Sequence, residues 1–301
     1  MITKTINNQK TSTVKGGTTN QETLTKVSVR KVVGFICTPE GEKGSTYELT
    51  RSLVERLVSE NSNMSGELIT ITEPILQNRP TQDVMENLSY NYSKGNTNYK
   101  GVNGSINTIN TLIEKMINSD VVIFSTSVDS THIPSQVMLF FKGLGEWLYR
   151  FPLVGKTGII IVTSPESDVQ NTVKYISDSM MTTGIKCVGT LISKTDSNGN
   201  LISSESMQQG IKNLCSEISP YITGERKIES DTGLENIFHS VKRRVVTSYN
   251  LSPEYKYWRE RGLLTVDSFS QLLDTLREDS TYESTTTPQS GTITTTSVVL
   301  V

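Results

Sequence analysis

KVVGFICTPEGEKGST, residues Lys31 to Thr46, changes character halfway along. Val32 to Cys37 is a short apolar run without polar alternation, which is the pattern of a strand covered on both faces in a parallel sheet. From Thr38 the chain turns polar and flexible, with Pro39, Gly41, Gly44, Ser45 and Thr46 in close succession. Leu49, Leu53, Val54, Leu57 and Val58 then recur at helical spacing. Strand, glycine- and hydroxyl-bearing loop, then helix is a geometry that binds anions. The first N–H groups of a helix lack intrahelical partners and its dipole favours negative charge there. Thr38, Ser45 and Thr46 bring hydroxyls to this loop and Lys43 a positive charge. Two phosphate motifs are excluded. Lys43 precedes Gly44, so there is no Gly-Lys-Ser/Thr ending of a P-loop, and no G-x-G-x-x-G follows the strand.

Outward from this stretch the same alternation repeats. Gly66 to Thr72 reads as a second strand. A long polar connection, Glu73 to Asn107, follows; its Tyr90, Tyr92 and Tyr99 either cover a flat ring system or lie on the surface of a loose loop. Ile106 to Ile117 has helical periodicity, Val121 to Phe124 is a buried strand, and Ser125 to His132 is a polar loop. Pro134 suits the first turn of a helix reaching about Tyr149. Lys156 to Thr163 is a fourth strand, Ser164 to Asp168 a polar loop, and Val169 to Met181 a helix. Ile185 to Ile192 is the fifth strand, and Ser204 to Ile218 the last core helix. Repeated β–α units predict a parallel sheet with helices on both faces. Ligands of such sheets bind beyond the C-terminal strand ends, where the loops after the first, third and fourth strands would converge.

Composition narrows the function. A formal net charge of −2 over 301 residues argues against a general nucleic-acid binder. Cys37, Cys187 and Cys215 are far apart and odd in number, so a disulfide framework is not expected. His132 and His239 are too few for a typical zinc site, and no metal is expected. No apolar stretch is long enough to span a bilayer and no signal-peptide core follows Met1, so a reducing, cytoplasmic setting is expected, with no membrane partner. Residues 1–30, rich in Asn, Thr, Lys and Gly, read as a disordered leader, and the Ser/Thr-rich residues 280–301 as a disordered tail. Between them, 31–222 form the core domain and 223–279 a helical extension, in which Ser268 and Gln271 are spaced as a capping box. Lys242, Arg243 and Arg244 offer either a phosphate contact or a solvated helix face.

The loop Cys37-Thr-Pro-Glu-Gly-Glu-Lys-Gly-Ser-Thr46 resembles the phosphate loop of the flavodoxin-like NADPH-dependent FMN reductases, a Gly-Ser-Pro-Arg…Gly-Asn/Ser-Thr pattern, with one residue more. Thr126 to Lys142 is similar to that family's segment after strand three, with Ser127 at its proline and Asp129 at its usual aromatic residue. Val154-Gly-Lys-Thr-Gly158 matches the family's lead into strand four, and Glu254 to Leu264 resembles a helical element of its longer members. The resemblance implies a flavodoxin-like five-stranded parallel sheet of order 2-1-3-4-5, with the binding crevice between strands one and three. It implies FMN as cofactor and NADPH or NADH as hydride donor, with electrons passed on to a small-molecule acceptor such as a flavin or quinone. It also implies a homodimer or tetramer with the flavin near the interface. Thr38, Lys43, Gly44, Ser45 and Thr46 then fall to the flavin phosphate, Thr126, Ser127, Val128, Asp129, Ser130, Thr131 and His132 to the loop against the flavin ring, and Thr163 and Ser164 to the same cofactor site. His132 is either a donor to a flavin carbonyl or a residue at the start of a helix. No catalytic side chain is required, because flavin N5 carries the chemistry. The region that holds cysteines in iron–sulfur members has none here, so no cluster is expected.

Two departures from the family pattern bear on function. Glu40 stands near the place of an arginine that often holds the flavin phosphate, and Asp129 replaces a stacking surface. They leave open a protein that keeps the fold as a binding or scaffold module, and an electron carrier without NAD(P)H activity.

Overall fold

The computed structural model describes residues 3–7, 29–71, 109–129, 132–165, 168–202, 204–248 and 252–275. Its core is β2 (Arg30–Cys37), α1 (Ser45–Glu60), β3 (Met64–Thr70), α2 (Ile109–Ile117), β4 (Val121–Ser127), α3 (Ser135–Leu144), β5 (Thr157–Ser164), α4 (Gln170–Thr182), β6 (Lys186–Lys194) and α5 (Ser204–Thr223). The parallel strands lie in the order β3-β2-β4-β5-β6, the expected flavodoxin-like 2-1-3-4-5. Tyr90, Tyr92 and Tyr99 lie outside the described residues, as do Ser130 and Thr131 and the tail from residue 276 onward.

The leader expectation needs one correction. β1 (Thr3–Asn7) pairs antiparallel with β3, from Thr3 opposite Ile69 to Asn7 opposite Ser65, and makes the sheet six-stranded. Thr3, Thr5 and Ile6 are β-branched, and β3 would otherwise end the sheet with an unpaired row of backbone groups. Arg30, placed in the leader by composition, begins β2 and is bonded to Asp120 at 2.8 Å.

Strand alternation divides the apolar residues between the two faces of the sheet. Val33, Phe35, Val122, Phe124, Ile160 and Val162 pack under α2, α3 and α4. Val32, Ile36, Val121, Ile123, Ile159 and Ile161 pack against α1 and α5. β6 is the far edge and is only partly buried. Lys156 closes the bottom of the sheet: its Nζ donates to the carbonyls of Ile117 and Ser119 at 2.7 and 2.6 Å, capping the end of α2.

Three further helices follow: α6 (Thr232–Thr247), α7 (Pro253–Glu260) and α8 (269–275). They form their own apolar cluster around Phe238, Trp258 and Phe269, which is continuous with Phe151 of the core. Trp258 is fully buried and its Nε1–H donates to the Tyr149 carbonyl at 2.7 Å. Of the basic cluster, Lys242 donates to the Val266 carbonyl and Asp267, and the Arg244 guanidinium lies 4.0 Å from the Tyr149 ring centroid. Lys242 thus ties parts of the extension to one another, and Arg244 ties the extension to the core. Ser268 Oγ caps α8 by accepting from the Gln271 N–H, while Gln271 Oε1 reaches back to the N–H of Asp267, one residue before the expected partner.

Candidate functional site

A cleft of about 620 Å3 opens at the C-terminal ends of the parallel strands, beside the reversal of chain order between β2 and β4. That volume suits a small-molecule ligand (roughly 300–1,000 Å3). The β2–α1 connection contributes Glu40, Lys43, Gly44 and Ser45, and the first turn of α1 adds Glu48. Ser127 and Asp129 come from the end of β4, and Thr163 and Pro165 from the end of β5. The turn 195–201 beyond β6 and Met207 of α5 close the other side.

The β2–α1 connection is short and tightly folded. Gly41–Lys43 makes one 3₁₀ turn, and Gly44 is the extended cap of α1 with no side chain to satisfy the helix N-terminus. Only glycine fits there, because a Cβ on Gly44 would stand 2.8 Å from Glu40 Cβ. The Glu40 side chain thus lies across the start of α1. Its Oε2 accepts from the hydroxyl of Thr38 and, at 3.3 Å, from that of Ser127; these hydroxyls are themselves 2.9 Å apart. One carboxylate therefore joins the two loops that flank the switch point.

Beneath this surface lies a layer of buried hydroxyls. Thr46 Oγ1 and Thr163 Oγ1 are 2.6 Å apart, and Thr50 Oγ1 donates to Ser125 Oγ at 2.7 Å. Thr126 Oγ1 donates to the Cys37 carbonyl at 2.8 Å. These bonds fasten α1, β2, β4 and β5 together under the cleft.

The expected site residues accordingly separate. Lys43, Gly44, Ser45, Ser127, Asp129 and Thr163 line the cleft. Thr46 and Thr126, expected to offer hydroxyls to a ligand, are turned inward and bond to protein atoms. Thr38 is buried behind Glu40. Val128 sits in the core with its N–H spent on the Thr163 carbonyl at 2.9 Å, so that amide is not offered to a ring edge. Ser164 is buried and its carbonyl accepts from the Thr195 N–H. His132 is exposed and does not line the cleft. Sequence reasoning missed the turn after β6, although Asp196-Ser-Asn-Gly-Asn200 is a strong turn signal. The Asn200 and Asn198 N–H groups and the Asn200 amide hold the Asp196 carboxyl below the usual range.

Charge decides what the cleft accepts. Among its described lining residues, the carboxylates of Glu40, Glu48, Asp129 and Asp196 outnumber the ammonium of Lys43. The Ser45 hydroxyl and the polar groups of the 195–201 turn fit the uncharged, hydrogen-bonding length of a flavin, whereas the Thr163 hydroxyl is bonded to Thr46. The loop as it stands does not fit a phosphate dianion, since the hydroxyls of Thr38 and Ser127 are already given to Glu40. Cys37, at the end of β2, is buried and its thiol is pushed well up by desolvation, so it is not a poised nucleophile. No helix among the described residues is long and apolar enough to cross a membrane.

No family model and no curated protein matches the chain. Among solved structures it is similar to RosB with bound 8-demethyl-8-formylriboflavin-5'-phosphate, at 12% identity and TM-score 0.43, over 90% of this chain and 94% of that one. A flavone reductase is similar at 12% identity and TM-score 0.46, over 66% of each chain. The FMN-dependent NADH-azoreductase of Bacillus anthracis str. Ames Ancestor is similar at 13% identity and TM-score 0.39, over 63% of this chain and 98% of that one. At these identities and scores the likenesses decide nothing about activity, and the flavodoxin-like fold stands on the strand order itself.

Proposed function

We propose that the switch-point cleft binds a flavin and that the protein is an oxidoreductase, taking hydride from NADPH or NADH and passing electrons to a second small-molecule acceptor. The observation that carries this reading is the meeting of the β2–α1 loop, the end of β4 and the end of β5 on one small-molecule-sized cleft between β2 and β4. A flavin held there would supply the hydride-accepting chemistry through its N5. The chain holds and orients it. The Ser45 hydroxyl and the polar groups of the 195–201 turn are placed to bond its polar length, and Lys43 is the cation beside the start of α1. No side chain of the cleft has to move a proton in such a transfer. FMN, the flavin implied by the sequence resemblance, must displace Glu40 if its phosphate is to reach the α1 N-terminus.

The reading is tested by the visible absorbance of the purified protein with added flavin, before and after NADPH or NADH. Protein-bound yellow colour that bleaches supports it; colour that does not bleach supports an electron carrier. The seat of Glu40 favours a second reading, a flavodoxin-fold binding or scaffold protein without an anionic cofactor. Absence of any bound-flavin signal at saturating riboflavin and FMN would select it. Light scattering checks the expected dimer or tetramer.

A further inference from the structure

Glu40 occupies the position that an anionic ligand would need. Its carboxylate lies at the cap of α1, over a glycine that admits no side chain, and takes a hydroxyl hydrogen bond from each flanking loop. We propose that Glu40 is an internal anion in the phosphate loop, and that it makes this site select a flavin lacking the phosphate over FMN. The inference rests on the flavin reading above and adds its specificity determinant.

Three features argue for it. First, the donors that would grip a phosphate are spent: Thr38 and Ser127 share one carboxylate oxygen and stand 2.9 Å from each other. Second, a phosphate at the start of α1 would lie within a few ångströms of a carboxylate, where like charges repel across a partly desolvated cleft. Third, Glu48, Asp129 and Asp196 line the same cleft, so displacing Glu40 toward them leaves the negative charge in place. Lys43 is a point charge and cannot reproduce a bidentate guanidinium. The ribityl hydroxyls of an unphosphorylated flavin carry no charge and meet none of this repulsion.

The test uses the full chain as wild type, Glu40→Gln and Glu40→Ala, titrated into riboflavin and FMN with flavin fluorescence as readout. The wild type is expected to bind riboflavin at least about tenfold more tightly than FMN. Glu40→Gln keeps the side chain's length and hydrogen bonding and is expected to tighten FMN by about tenfold or more, leaving riboflavin within about threefold. Glu40→Ala repeats the comparison if the glutamine variant does not fold. Inorganic phosphate provides a probe independent of flavin: it is expected to raise the melting temperature of Glu40→Ala and not that of the wild type. Flavin binding with an unchanged riboflavin-to-FMN ratio in both variants overturns the role of Glu40 while the flavin reading stands. Phosphate stabilisation of Glu40→Ala without binding of either flavin supports the Glu40 role and overturns the flavin reading. Neither flavin binding nor phosphate stabilisation overturns both.

Discussion

Replacing Thr46 by valine separates a ligand contact from a structural hydroxyl. Thr46 is 1% exposed on the inner face of α1, and its Oγ1 lies 2.6 Å from Thr163 Oγ1 on β5. Valine keeps the branched shape and removes only the hydroxyl, so packing against the sheet is retained but the hydrogen bond is lost. A net hydrogen bond contributes about 1 kcal/mol, and a buried partner left unsatisfied costs about 1–3 kcal/mol. Thr163 is itself 1% exposed, so its hydroxyl has no water at hand to replace the lost partner. The expected loss is about 1–3 kcal/mol, a fall in melting temperature of roughly 2–12 °C for a protein of this size. Urea denaturation reads the stability, and flavin fluorescence titration reads the site. Flavin affinity is expected to change by less than about threefold, because the hydroxyl faces β5 and not the cleft. A Thr46→Val protein as stable as the wild type but tenfold weaker for flavin would refute the reasoning, since the hydroxyl would then belong to the ligand.

Three further changes test the frame that holds the site. Gly66→Ala places a Cβ 2.4 Å from Cγ1 of the stiff, β-branched Val54 and should destabilise by about 1–3 kcal/mol; Val54→Ala should restore part of the loss in denaturant melts, and a neutral Gly66→Ala would refute the close approach of α1 to β3. Burial pushes the Lys156 pKa down to about 8, with Asp120 opposing, so the unfolded chain binds the extra proton between pH 8 and the ordinary 10.5. Stability from this group therefore rises across that window: the difference in unfolding free energy between wild type and Lys156→Met should grow by about 1–2 kcal/mol from pH 7 to 10 after solvent screening, and a constant difference would count against it. Glu235 accepts from the Phe269 and Ser270 N–H groups at 2.9 and 3.0 Å, docking α8 onto α6. Burial raises its pKa but is outweighed by the Phe269 and Ser270 N–H groups and by His239, so it lies below the ordinary 4.5. Its stabilisation is present above that value and lost as pH falls through the lower folded value; hydrogen exchange in 269–275 should accelerate in that range for the wild type, and at neutral pH for Glu235→Gln.

The β–α alternation was legible because a strand buried on both faces must be apolar without interruption, while the strand order was implied by the family resemblance. Val32–Cys37, Val121–Phe124 and Ile159–Val162 are such runs, and each is followed by polar residues where the chain leaves the sheet. The place of the cleft followed from the same pattern, since open α/β sheets put ligands beyond the C-terminal strand ends. β1 was not legible, because a five-residue edge strand in a Thr-, Asn- and Lys-rich segment is specified by the free edge of β3 and not by its own composition.

Apolar periodicity is written in the chain, and with it come the elements, the two-sided core and the end of the sheet at which polar loops gather. The use of each polar group in those loops depends on the folded arrangement. Thr46, Thr126 and Ser127 are chemically similar hydroxyls within the same expected site, yet two are spent inside the fold and one reaches Glu40 across the cleft. Periodicity is a property of the local chain, whereas a hydroxyl's partner depends on which other strand end lies within about 3 Å of it. Glu40 shows the same limit. In sequence it is a loop carboxylate where the resembled family has an arginine, and only the meeting of the β2 and β4 ends gives that carboxylate two hydroxyls and the start of a helix to occupy.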